Sequence, residues 1–133
     1  MKVNLKNIQF ILLILLSSAL FTSCQNSTDE NKIVNGKSPV LSISSLTKTT
    51  NKVSFVAKAS WHNGCGSFSH FTSTKADSTF YITVYGKQPL NATCTMAFIE
   101  YNAPVEIVIN GLGKYSFKFW QSDTTSVDTT LTF

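Results

Sequence analysis

The sequence predicts an all-β domain: an antiparallel sandwich of about seven short strands. Three observations predict it. Apolar and polar residues alternate with period two along most of residues 39–133, Gly- and Asn-containing turn signals separate the alternating runs, and no segment there has helical periodicity of useful length. Seven strands in so short a stretch is the strand density of two packed sheets.

The elements follow in order. Pro39 opens the folded region, and residues 40–46 form a first candidate strand with weak alternation. Residues 53–61 form the clearest one, because Val53, Phe55, Ala57, Ala59 and Trp61 place every odd position on an apolar face. Trp61 is therefore a core residue. Asn63-Gly64 supplies a turn signal. Residues 80–84 are a third strand with a turn signal at Gly86, and residues 95–101 are a weaker fourth, bounded by Asn102. Residues 105–109 and 115–119 are a fifth and a sixth, separated by Asn110-Gly-Leu-Gly113; residues 127–133 are the last.

Ahead of the sandwich lies a different kind of segment. Lys2 and Lys6 precede the apolar run Phe10–Leu16, and small residues follow it. These are the parts of a secretory signal peptide, an apolar helix that directs export. The apolar stretch is about a dozen residues, short of the about 20 that a spanning helix needs. The small residues lead directly into a cysteine, and Phe21-Thr22-Ser23-Cys24 resembles the lipobox of bacterial lipoproteins. Phe21 departs from the usual leucine at its position, with Leu20 just before it. The resemblance implies cleavage before Cys24, acylation of the Cys24 thiol, and attachment to a membrane of the cell envelope, the outer membrane before the inner. Two or more acyl chains hold a protein stably, where one holds it marginally. The expected organisation is a signal peptide over 1–23, lipidated Cys24 and a polar tether over 24–38, and a β-sandwich over 39–133. As a coil, the tether spans about 20 Å.

Charge and cysteine content narrow the function classes. The chain has a formal net charge of +4, but Lys2 and Lys6 leave with the signal peptide, and the nine lysines that remain exceed the seven acids by only two. Arginine is absent and the lysines form no stripe, which argues against nucleic acid as a partner. With Cys24 taken by lipid, Cys65 and Cys94 are an even pair in an oxidising compartment, where a disulfide is expected. Closing a loop of about 30 residues is worth about 3–4 kcal/mol on the chain-entropy model.

Leu112-Gly-Lys-Tyr115-Ser-Phe117 resembles the start of strand F in immunoglobulin-like and fibronectin-like domains, where a tyrosine hydroxyl closes a corner of the sandwich. Antibody domains carry a cysteine two residues after that tyrosine. Here Phe117 stands there, so their buried inter-sheet disulfide is not implied, and Cys65 and Cys94 instead tie loop to loop. The layout is also similar to that of small lipoproteins of Gram-negative bacteria with a Gly-Cys-Gly-aromatic loop, here Gly64-Cys65-Gly66 followed by Phe68.

That loop holds the densest group of candidate functional side chains: His62, Asn63, Gly64, Cys65, Gly66, Phe68, His70 and Phe71. Imidazoles and thiolates are zinc ligands, but the spacing fits no zinc finger and a disulfide would consume both sulfurs. The same bond removes Cys65 as a nucleophile with His62 or His70 as its base. No nucleophile elbow, carboxylate pair or phosphate-binding glycine loop is present. No metal, cofactor or catalysis is expected. The expectation is a membrane-anchored, non-catalytic binding or structural module of the envelope, with a protein or glycan partner and residues 62–71 as a possible binding loop. The alternative is a lipoprotein inhibitor of a hydrolase acting through the same loop. For Phe68 and Phe71, core packing competes with a binding role.

Overall fold

A computed structural model of the chain describes residues 32–133. The residues read as a signal peptide, Cys24 and the first part of the expected tether lie outside the described residues. Eight strands make two facing sheets: β1 (Ile33–Lys37), β2 (Val40–Lys48), β3 (Lys52–Trp61), β4 (Ser67–Ala76), β5 (Thr79–Pro89), β6 (Ile99–Val108), β7 (Lys114–Trp120) and β8 (Ser126–Thr132). One sheet has the order β2-β3-β6. In the other, β5 pairs with β4 along one side, while β1 and β7 share its opposite side and β8 adds beyond β7.

The alternation read from the sequence is the packing pattern of the molecule. The odd positions of β3, β6 and β7 and the even positions of β5 face inward, among them Val53, Phe55, Phe80, Ile82, Val105, Phe117 and Phe119, all buried. Phe55 joins the sheets at the centre, with ring centroids 5.1 Å from Phe117 and 5.2 Å from Phe119. Tilted and edge-on ring pairs of this kind add to the burial of their apolar area. Trp61 is buried, as its parity requires.

Among the described residues the structure departs from the expected layout in five respects. There are eight strands rather than seven, and the β5–β7 pair is parallel rather than antiparallel. The stretch read as tether is already sheet from Ile33, because Ile33–Lys37 pairs with Tyr85–Pro89. Gly86 is not a turn but lies inside β5, opposite Gly36. Asn102 is likewise inside β6, paired with Lys58, so the fourth and fifth expected strands are one. Pro104 takes an outward position of β6 without breaking it, because β6 is an edge strand that pairs only with β3.

β4 escaped the period-two reading for a specific reason. Strict alternation puts Phe68 and Phe71, three residues apart, on opposite faces. A bulge between Phe68 and His70 inserts Ser69, so that Phe68 lies opposite Gly86 and Phe71 opposite Val84, both on the core side. Further along, Lys75 sets its ammonium group over the Phe80 and Tyr115 rings, a charge at the sheet edge that discourages pairing with another chain.

The registers define two ends. At one end lie the entry at Lys32, the β3–β4 turn (62–66) and the β5–β6 loop (90–98), with the Leu90 N–H donating to the Lys32 carbonyl at 2.8 Å. At the other lie the β2–β3, β4–β5 and β6–β7 turns and Phe133. There Gly111 and Gly113 take positive φ, and the Tyr115 hydroxyl donates to the Asn110 carbonyl at 3.1 Å, closing the corner its position suggested. Ten-residue strands separate the ends by about 33 Å.

Candidate functional site

The loop singled out in the sequence is a braced turn. Cys65 and Cys94 form the disulfide, with Cα atoms 5.4 Å apart, and the Gly64 N–H donates to the Thr95 carbonyl at 3.0 Å. Both sulfurs are thereby spent, so neither can ligate a metal or attack a substrate as thiolate. The Asn63 side chain organises the turn from both ends. Its Oδ1 accepts from the Cys65 N–H at 3.1 Å, and its amide donates to Gln88 Oε1 at 2.7 Å. The same Gln88 oxygen accepts from the Trp61 indole N–H at 2.7 Å. One side chain of β5 thus holds both the turn and the tryptophan under it.

Three glycines make room for that tryptophan. A Cβ on Gly66 would stand 2.3 Å from Trp61 Cγ, one on Gly86 would stand 2.4 Å from Cε3, and one on Gly36 would stand 3.2 Å from Cη2. Gly36 and Gly86 face each other across β1 and β5, so the indole lies over a gap in the pleat that only glycine leaves. Beside it Ser38, fully buried, accepts a hydrogen bond from the Tyr101 hydroxyl. Burial pushes the Tyr101 phenol above its ordinary range, and the Ser38 bond partly offsets that. The sequence showed Gly86 and Gly66 only as turn or loop residues and Gly36 only as part of a tether, since nothing local reveals a ring arriving from another strand.

The remaining loop candidates separate. Phe68 and Phe71 pack against the core, so they are not an exposed recognition patch. His62 is exposed, its ring 4.9 Å from that of Trp61. His70 belongs to a different surface, the outer face of β4, where it stacks flat on Tyr85 at 4.7 Å. Among the described residues no three His, Cys, Asp or Glu side chains gather as metal ligands.

That outer face is the feature the sequence reading missed. On β5, Tyr81 and Tyr85 point away from the core, and Tyr81 is 49% exposed. Tyr85 stands between His70 of β4 and Lys37 of β1, and Lys37 Nζ lies 5.1 Å over the Trp120 ring of β7. His70, Tyr85, Lys37 and Trp120 therefore run across four strands, with Tyr81 below them. A cleft of 290 Å³ opens between Tyr81, Trp120, Lys118 and the β7–β8 turn. The turn is built of hydroxyls: Ser122 Oγ accepts from the backbone N–H groups of Thr124 and Thr125 and lies 2.6 Å from Thr125 Oγ1. Lys118 pairs with Asp128 at 3.1 Å. The Ser126 hydroxyl donating to Asp128 holds that carboxyl below its usual value against the opposing effect of burial, with Lys118 adding to the lowering. The signal for this face was the polar parity of β5 and β7, where Tyr81, Tyr85 and Trp120 occupy positions that alternation assigns to solvent.

Two facing sheets around one core, holding every strand among the described residues, define a β-sandwich domain. The chain belongs to the ORF11 beta-sandwich domain family, whose model matches residues 55–132, from within β3 to the end of β8. No curated protein and no solved structure matches the chain.

Proposed function

We propose that this chain is an extracytoplasmic lipoprotein, acylated at Cys24, whose sandwich is a non-catalytic binding module with the outer face of the five-stranded sheet as its recognition surface. The observation that carries the binding assignment is that face: exposed His70 and Tyr81 and the half-buried Tyr85 and Trp120 share one side of the sheet, beside a hydroxyl-lined cleft. Rings that present an apolar face next to hydroxyls suit a partner that is itself apolar on its ring faces and polar at its edges, which is the chemistry of a glycan. The Cys65–Cys94 disulfide supports the location, since such bonds persist in oxidising compartments.

The test is retention of the purified protein on envelope polysaccharide. Wild type is retained, while Tyr81→Ala and Trp120→Ala each weaken retention about tenfold or more with unfolding temperatures near wild type. Equal retention of all three proteins would remove the recognition surface from the proposal, and capture by an envelope protein instead would replace the glycan.

A further inference from the structure

We infer that the disulfide end of the sandwich is a membrane-facing rim that dips into the lipid interface, with Met96 and Phe98 as its inserting side chains. The inference rests on the lipoprotein reading for the position of the bilayer, and it adds an orientation and a second lipid contact to it. Lys32, the first of the described residues, stands eight residues after Cys24, so the two are at most about 28 Å apart even when the chain is fully extended. Lys32 is at the disulfide end, bonded to Leu90 at the start of the β5–β6 loop. A lipid on Cys24 therefore holds that end toward the headgroups and the opposite end away from them.

The rim has the chemistry of an interfacial surface. Met96 is 94% exposed and Phe98 79% exposed, both on the loop that Cys94 and Thr95 fix to the β3–β4 turn. Ile33 and Leu90 beside them are also exposed. Leu112 and Val108 stand in water at the opposite end as well; what sets Met96 and Phe98 apart is that they lie at the end a lipid on Cys24 holds toward the bilayer, where apolar tips have a surface to enter. The charge agrees. Between residues 32 and 37, 61 and 70, and 86 and 99 there are three lysines, Lys32, Lys37 and Lys87, and no acid. Glu100, the next acid along β6, is paired with Lys58. The acids that oppose this balance, Asp29 and Glu30 of the tether and Asp123 of the β7–β8 turn, lie outside these segments. Apolar tips among cations fit an anionic lipid surface, where the rings leave water and the ammonium groups stay at the headgroups.

Two measurements separate this inference from the anchor it builds on. The first uses the acylated protein on vesicles of phosphatidylethanolamine and phosphatidylglycerol and follows amide hydrogen exchange. Residues 90–98 exchange at least about tenfold more slowly in wild type than in Met96→Ser/Phe98→Ser, while the β4–β5 and β6–β7 turns are the same in both. The second uses the chain from residue 24 carrying Cys24→Ser, which cannot be acylated. Its partition onto phosphatidylglycerol vesicles falls about tenfold or more when Met96 and Phe98 become serine. Both positions are exposed, so neither substitution opens the core. If Cys24 carries lipid and both measurements are indifferent to Met96 and Phe98, the rim is overturned and the anchor stands. If Cys24 carries no lipid but partition still depends on these two residues, the anchor fails and the rim stands as a lipid contact of its own.

Discussion

Gly86→Ala adds a single methyl group in the middle of β5, at a position a sequence reader would take for a turn. The added Cβ would lie 2.4 Å from Trp61 Cε3, 2.6 Å from Cζ3 and 2.7 Å from Ser38 Oγ. Contacts under 3 Å must be relieved by movement, and the neighbours have nowhere to go. The indole is boxed by Gly66 and Gly36 and tied by its N–H to Gln88, while Ser38 is fully buried and holds Tyr101. Overpacking in a site that cannot yield costs about 3 kcal/mol or more. In a domain of about 100 residues each kcal/mol moves the unfolding temperature by about 4–8 °C, so Gly86→Ala should melt roughly 12–24 °C below wild type. Thermal unfolding followed by near-ultraviolet circular dichroism reads this directly through Trp61. Gly64→Ala is the control, since its Cβ meets chiefly the Thr95 side-chain oxygen on an exposed loop. Trp61→Phe should make the two changes non-additive, the double variant losing less than the sum. Gly86→Ala melting within about 3 °C of wild type would refute the glycine cradle.

Other outcomes follow from the same contacts. Reducing the Cys65–Cys94 bond should cost about 3–4 kcal/mol in denaturant unfolding, since it closes a loop of about 30 residues. Tyr115→Phe removes one hydroxyl bond at the opposite end and should cost about 0.5–1.5 kcal/mol by the same assay, with the disulfide-end turn unchanged in its exchange rates. Phe117→Ala opens the centre of the core against Phe55 and Phe80 and should cost about 3–5 kcal/mol. Asp128 has a folded-state pKa below the ordinary 3.8, so its contribution is present above that value and is lost as the pH falls below it. The carboxyl is about half exposed, so solvent keeps this contribution small, and Asp128→Asn should flatten acid unfolding only slightly, as a pH titration of stability would record.

Much of this architecture was legible because period-two alternation is the packing rule of a half-buried sheet. β3 and β7 keep that parity without interruption and were read almost to their ends. The strands that were missed are those in which another constraint overrides it. In β4 the Ser69 bulge moves Phe71 to the same face as Phe68, which looks irregular in sequence and regular in space. In β1 the run Ile33-Val-Asn-Gly-Lys37 is mostly exposed and forms only because β5 extends far enough to pair with it. Gly86 shows the limit most clearly: glycine in a strand and glycine in a turn are identical until the side chain that needs the space is located. The disulfide was legible from cysteine count and compartment alone. The outer face was not, since single exposed aromatics are ordinary in any strand and only the registers of β1, β4, β5 and β7 bring His70, Lys37, Tyr85 and Trp120 together.

The anchor carries the most weight in this account, because location, orientation and the membrane-facing rim all build on Cys24. Intact mass spectrometry of the protein extracted from membranes of producing cells tests it directly. The expected protein begins at Cys24, lacks residues 1–23 and carries a diacylglyceryl mass, with Cys24→Ser retaining residues 1–23 and no lipid. A wild-type chain with unmodified Cys24, or a Cys24→Ser chain that still carries lipid, would contradict it.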